Sequence, residues 1–227
     1  MVKNHLKRLR MPRTWQIPKK THTWVTKPSP GPHKTRDSMP LNLIVRDILN
    51  YARTTKEVKN ILNRKEITIN KKVRRDHRFP VGLFDIVDIP RNNENYIVIL
   101  NKKGKISLQK IEEKDSHAKY MKITGRKMLK KNKLQVNMHD SSNFLMDKND
   151  YHVNDTLKID LKTGKVIKAL KFEKDSYAFI TSGKYSGSHG VISEIQNNHA
   201  EVRIKEETIK VPKKYIFIIE KDFIKNE

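Results

Sequence analysis

Apolar positions along this chain change their period several times, and each change marks a new element. Leu41, Ile44, Val45, Ile48, Leu49 and Ala52 recur at helical spacing, which predicts a helix with one apolar stripe and with Arg46, Asn50 and Arg53 on its far side. Thr54-Thr55-Lys56-Glu57 then reads as a capping box, in which the Thr54 hydroxyl accepts from the Glu57 amide and Glu57 reaches back to the Thr54 amide. Along this second helix Val58, Ile61 and Leu62 face inward, while Lys56, Lys59 and Asn63 share the outer face. The period next drops to two. Ile67 and Ile69 alternate as a strand, Asn70-Lys71 turns, and Val73 begins the return strand. Gly82 predicts a tight bend before a strand over 85–89 that stops at Pro90.

From Tyr96 to about Phe172 the pattern is short and strand-like. Tyr96–Leu100 is strongly β-prone, Ile106 and Leu108 alternate, and Leu134–Met138 alternates again. Turns are expected at Asn154-Asp155 and Lys162-Thr163-Gly164, around Leu157, Ile159 and Leu161, with Ile111–Met121 as a short helix. In the last segment the β-prone run Tyr177–Ile180 leads into Gly183, Gly187 and Gly190, followed by Val191-Ile192 and by strands at Ala200–Ile204, Thr208–Val211 and Tyr215–Ile219. That rhythm predicts a small SH3-like barrel. The expected fold class is α+β and multidomain. Residues 1–40 form an extension, 41–95 a small helical and hairpin domain, 96–172 a mostly β domain and 173–227 the barrel with its tail.

Composition changes the picture most at the N-terminus. The first forty residues hold ten Lys or Arg against a single acid, Asp37, together with six of the nine prolines and both tryptophans. Charges that repel and prolines that remove backbone donors predict a segment ordered by a polyanionic partner rather than by itself. Lys7, Arg8 and Arg10, with Arg13, Lys19 and Lys20, can each replace a condensed counterion on a phosphate. Trp15 and Trp24 offer flat faces either to unpaired bases or to a neighbouring protein surface.

The whole chain carries a formal charge of +24 and a pI near 10.1, which suits a nucleic-acid partner. Residues 41–90 contain eleven bases and six acids. Arg46, Arg53, Lys56 and Lys59, then Lys72, Arg74, Arg75 and Arg78, flank the predicted hairpin and can make one phosphate-tracking surface. An anionic membrane is the competing polyanion, but there is no basic amphipathic helix, lipidation signal or apolar run of spanning length. The basic N-terminus also lacks the apolar stretch of a secretory signal. The absence of cysteine excludes disulfides and cysteine-based zinc sites and fits a reducing cytosol. The nine histidines are scattered without HExxH spacing, His139-Asp140 has no accompanying nucleophile, and Gly183-Lys184 lacks P-loop spacing. No enzyme activity, cofactor, metal or small-molecule substrate is expected.

The pattern Gly183-x-x-x-Gly187-x-x-Gly190-Val191-Ile192 resembles the KOW motif, and the two helices with a hairpin resemble an S4-type RNA-binding domain. His5–Arg8, Lys27–His33, Pro80–Ile86 and Val153–Leu161 stand in the order found in the ribosomal protein S4e family, so the resemblance covers nearly the whole chain. It implies a non-catalytic component of cytoplasmic small ribosomal subunits, contacting small-subunit rRNA and neighbouring small-subunit ribosomal proteins. It also implies an S4-type domain, a central β domain and a KOW barrel. His33, Gly183, Lys184, Gly187 and Gly190 join the candidate RNA contacts on this basis. The loop glycines would admit a partner's backbone or phosphate, or else only allow the turn. Asn70-Lys71 stands where the family often has an acidic residue and Gly, and Lys adopts left-handed backbone poorly, which argues against a type I′ turn. Two other readings compete: a KOW-containing transcription elongation factor, and an RNA-modifying enzyme with an S4-type domain. The first would carry a mixed α/β N-terminal domain. The second needs a separate catalytic domain with a buried Asp.

Overall fold

A computed structural model describes residues 4–130, 133–146, 150–205 and 207–223. Its contacts separate two units, Met1–Ile99 with Lys105–Lys119, and Leu100–Gly104 with Tyr120–Glu227.

In the first unit the chain runs through β1 (Leu6–Lys7), β2 (Trp24–Val25), β3 (Ser38–Pro40), α1 (Leu41–Leu43), α2 (Thr55–Asn63), β4 (Thr68–Ile69), β5 (Lys72–Val73), β6 (Pro80–Gly82), β7 (Ile86–Ile89), β8 (Glu94–Leu100) and β9 (Ile106–Ile111). One sheet has the order β5-β4-β7-β8-β9, β1 pairs with β2, and β3 pairs with β6. The β-prone run at Tyr96 therefore extends the sheet of the preceding segment. The N-terminal segment is not left to a partner. Met11, Trp15, Ile17 and Val25 are buried, and Thr14 O accepts from the Ile106 amide at 2.7 Å. Four apolar side chains suffice to anchor it, which the charge and proline content concealed.

The first predicted helix is cut short. After α1, residues Ile44–Ile48 form a π-helical turn, with the Leu49 amide donating to Ile44 O at 2.9 Å, and Asn50 takes φ +56°. The wider turn keeps Ile44 and Val45 fully buried and leaves Ile48 and Leu49 half-buried. At α2 the Thr54 hydroxyl oxygen accepts from the Glu57 amide as expected, and the Glu57 carboxylate reaches back to the Thr54 amide and, at 2.8 Å, to that of Arg53. This local bonding, the Arg53 amide first, holds the Glu57 carboxyl below its ordinary range.

The two-residue turn between β4 and β5 also departs from expectation. Asn70 and Lys71 both take positive φ, +52° and +60°, as a type I′ turn requires. The cost to Lys71 is offset by its side chain, whose ammonium reaches Asp88 at 3.1 Å and Ser116 at 2.8 Å. Asn70 donates to Asp85 at 2.8 Å and accepts from the Ile86 amide at 2.9 Å. Gly82 sits in β6 and does not make the bend; Phe84 has the positive φ, +61°. A Cβ on Gly82 would lie 2.3 Å from the His33 ring, so the glycine makes room for the imidazole. Ile111–Met121 forms no α-helix: a 3-10 turn at Lys114–His117 precedes the next strand.

The second unit holds two five-stranded sheets. β10 (Ala118–Met128, whose first two residues still belong to the first unit), β11 (Leu134–Met138), β12 (Asn143–Met146), β13 (Thr156–Asp160) and β14 (Val166–Leu170) are ordered β12-β11-β10-β13-β14 over a core that includes Ile123, Val136 and Leu157. β15 (Tyr177–Ile180), β16 (His189–Ile195), β17 (His199–Ile204), β18 (Glu207–Pro212) and β19 (Ile216–Ile218) are ordered β18-β17-β16-β15-β19, burying Ala178, Ile192 and Val202 among others. The Lys122 ammonium donates to the carbonyls of Lys213, Lys214 and Ile216 at 2.7–3.2 Å, and burial pulls its pKa down to about 8.

Candidate nucleic-acid interface

The first unit contains a buried charge cluster around Asp85. Asp85 accepts from the Gly82 amide at 2.8 Å and pairs with Lys119 Nζ at 2.7 Å and His33 Nε2 at 2.9 Å. Burial alone would raise the Asp85 pKa. The Lys119 charge and the His33 and Asn70 contacts outweigh it and hold the carboxyl far below its usual range. His33, expected at the RNA surface, is committed to this cluster and its side chain is only 4% exposed.

The β4–β5 hairpin, joined to that cluster through Asn70, and α2 present cations. Lys56 and Lys59 are exposed on α2, Arg53 precedes it, and Lys72 and Arg75 are exposed on the hairpin side. His77 has its pKa lowered by burial first and by the Lys59 charge second, a sign of the positive field there. The Arg74 guanidinium lies 4.5 Å from the Phe79 ring centre, beside a groove that Lys65, Arg75 and Asp76 also line. Arg46 is half-buried, pairs with Asp47 at 2.8 Å and touches the Thr55 hydroxyl, so it is not a free cation on the helix back. Arg78 is also partly engaged, donating from Nε to Lys27 O at 3.1 Å.

On the N-terminal segment Lys7, Arg10, Arg13, Lys19, Lys20 and Trp24 are exposed. Arg8 and Trp15, expected at an RNA surface, are both buried. Arg8 is 3% exposed and donates to Pro18 O, tying the segment to itself. Trp15 is 2% exposed and its Nε1 donates to Ser38 O at 2.7 Å, so its indole faces neither a base nor another protein.

In the glycine loop, Gly183 and Lys184 are exposed, with Gly183 at φ +97° and the Lys184 ammonium 5.3 Å from the Tyr185 ring centre. Gly187 and Gly190 are buried against their own chain. A Cβ on Gly187, where φ is +85°, would lie 1.9 Å from Asn101 O, and one on Gly190 would lie 2.2 Å from Arg203 O. Both glycines permit close approach, but of this chain's backbone and not a partner's.

His139 and Asp140 form a turn: His139 Nδ1 accepts from the Lys122 amide, and Asp140 accepts from the Ser142 amide and hydroxyl. Among the described residues no group of three His, Cys, Asp or Glu side chains could hold a metal ion, and no helix is long and apolar enough to cross a membrane. Sequence reasoning missed the groove residues Lys65 and Phe79 and the buried Asp85–Lys119 pair. An apolar Phe gives no spacing signal that an arginine will stack on it, and the pair spans distant segments.

Two family descriptions match the chain: Ribosomal family S4e over residues 92–166, and the RS4NT (NUC023) domain over residues 2–36. The small ribosomal subunit protein eS4 of Methanosphaera stadtmanae is 36% identical over 97% of this chain and 93% of its own length. That of Methanothermobacter thermautotrophicus is 35% identical over the same shares. The crystal structure of the 30S ribosomal protein S4e from Thermoplasma acidophilum superposes with a TM-score of 0.71 at 27% identity, covering 81% of this chain and 95% of that one. With alignment over nearly its full length and a shared fold, the chain belongs to the ribosomal protein S4e family.

Proposed function

We propose that this protein is a structural, non-enzymatic constituent of the cytoplasmic small ribosomal subunit that binds rRNA and abuts neighbouring small-subunit proteins. The observation that carries the reading is its alignment, over 97% of the chain, with proteins named small ribosomal subunit protein eS4. A net charge of +24 supports it, because each Lys or Arg on a phosphate releases a counterion. Within that reading, α2 with the β4–β5 hairpin is an S4-type module, and the β15–β19 sheet with its glycine loop is a KOW barrel. The phosphate-facing cations are Arg53, Lys56, Lys59, Lys72 and Arg75 in the first unit. Lys7, Arg10, Arg13, Lys19 and Lys20 continue them on the N-terminal segment, and Lys184 beside Gly183 serves the loop. The exposure of these side chains supports their assignment. Arg46, Arg74 and Arg78 contribute less, because each already has a partner within the chain. Neither the elongation-factor nor the modifying-enzyme reading has any support among the relatives.

The test is sedimentation of lysate from cells making the tagged full-length protein through sucrose gradients at high salt. The protein is expected in the small-subunit peak. Recovery at the top of the gradient, or with RNA polymerase, would overturn the reading.

A further inference from the structure

The two tryptophans have opposite fates. Trp15 is 2% exposed with its Nε1 bonded, whereas Trp24 is 53% exposed on the β1–β2 hairpin. The hairpin that carries Trp24 is held firmly: the Arg8 amide donates to Thr23 O at 2.9 Å, Arg8 is buried, and Val25 beside Trp24 lies in the core. Lys7 is the direct cross-strand partner of Trp24, so the two side chains stand on the same outward face. The exposed His5 ring lies 5.4 Å from the indole, tilted by 56°. Through residue 36 the chain contains no acid at all.

We propose that the Trp24 face, with Lys7 and His5, is a stacking site for an unpaired RNA base. This rests on the rRNA-binding reading and adds which form of RNA is bound here and by which group. A rigidly mounted indole presents a sequence-tolerant π-face to a base, and the adjacent ammonium takes the phosphate of the same nucleotide. One nucleotide thus complements both features of the site. A base inside a duplex does not, because both its faces are occupied by its neighbours. Trp24 is the recognition group, Lys7 the electrostatic one, and His5 packs against the indole.

The test titrates the full-length protein with an oligoadenylate strand, with the same strand annealed to oligouridylate, and with phosphatidylserine vesicles, following tryptophan emission and affinity. The single strand is expected to quench the Trp24 emission while the Trp15 emission, isolated in Trp24→Tyr, stays constant. Trp24→Ala should weaken single-strand binding about 5- to 150-fold. It should change duplex binding little and leave the melting temperature unaltered, and Trp24→Tyr should recover much of the loss. Lys7→Ala should weaken strand and duplex alike. Equal affinity for both RNAs that Trp24→Ala leaves unchanged would overturn the stacking site while keeping RNA binding. A blue shift with vesicles and no quenching by the single strand would overturn it in favour of a membrane contact. Failure to bind either RNA at low salt, with small-subunit rRNA also unbound, would instead overturn the underlying rRNA reading.

Discussion

At the scale of single residues, function and stability separate along the line between exposed and buried charge. Asp85, Lys119 and His33 are all but closed to solvent, and they hold β6, β7 and the segment before β3 together. Asp85→Asn leaves the Lys119 ammonium buried without its counter-charge, which costs about 3–5 kcal/mol. Urea denaturation is the measurement, and a loss under about 1 kcal/mol would contradict the cluster's role. The pH sign is fixed by the lowered folded-state pKa of Asp85. Its stabilisation is complete above the ordinary carboxylate range and is lost as pH falls below it, so part of the wild-type loss in acid should vanish in Asp85→Asn. Gly187→Ala is expected to lower the melting temperature, because a Cβ there meets Asn101 O and φ is positive. Lys184→Ala, at an exposed position, should melt normally. The buried cluster was not legible in the chain. His33 and Gly82 looked like a surface contact and a bend, because nothing in local spacing reveals that a distant imidazole will occupy the space where a Cβ would be.

At the scale of elements, α2 and the strands of the last sheet were legible, since a capping residue and alternation of apolar positions act over a few residues. The helix before α2 was not. Its apolar stripe ran to Ala52, but π-helical bonding at Ile44–Ile48 and a left-handed Asn50 end it early. The Asn70-Lys71 turn failed in the other direction. Intrinsic preference argued against left-handed Lys71, and the ion pair with Asp88 overrides it. These placements leave Lys56, Lys59 and Lys72 as the outward cations of α2 and the hairpin. Changing all three to Glu is expected to weaken binding to small-subunit rRNA at least about tenfold while the circular dichroism spectrum stays that of the wild type. Unchanged affinity would remove this face from the interface. Arg46 is a poor choice for such a test, because its pair with Asp47 mixes stability with binding.

At the scale of the whole molecule, a net charge of +24 has two consequences of opposite sign. Like charges destabilise the free folded chain, so raising salt from about 50 to 200 mM should raise its melting temperature. The same change should weaken rRNA binding by about 10³–10⁵ if six to ten phosphates are contacted. Calorimetry and filter binding on one preparation check both, and affinity insensitive to salt would contradict the electrostatic account. By itself the sequence determined the family and most of the strands, and its charge pointed to a polyanionic partner. Charge composition, ordered motifs and short-range periodicity are properties that survive without coordinates. The tertiary structure alone decided which candidates face outward. It drew Arg8, Trp15 and His33 into the first unit and closed Gly187 and Gly190 against their own backbone, while leaving Trp24 and the α2 lysines in solvent. The physical reason is that exposure depends on which distant segments pack together, and a residue's type and its neighbours in the chain carry no record of that.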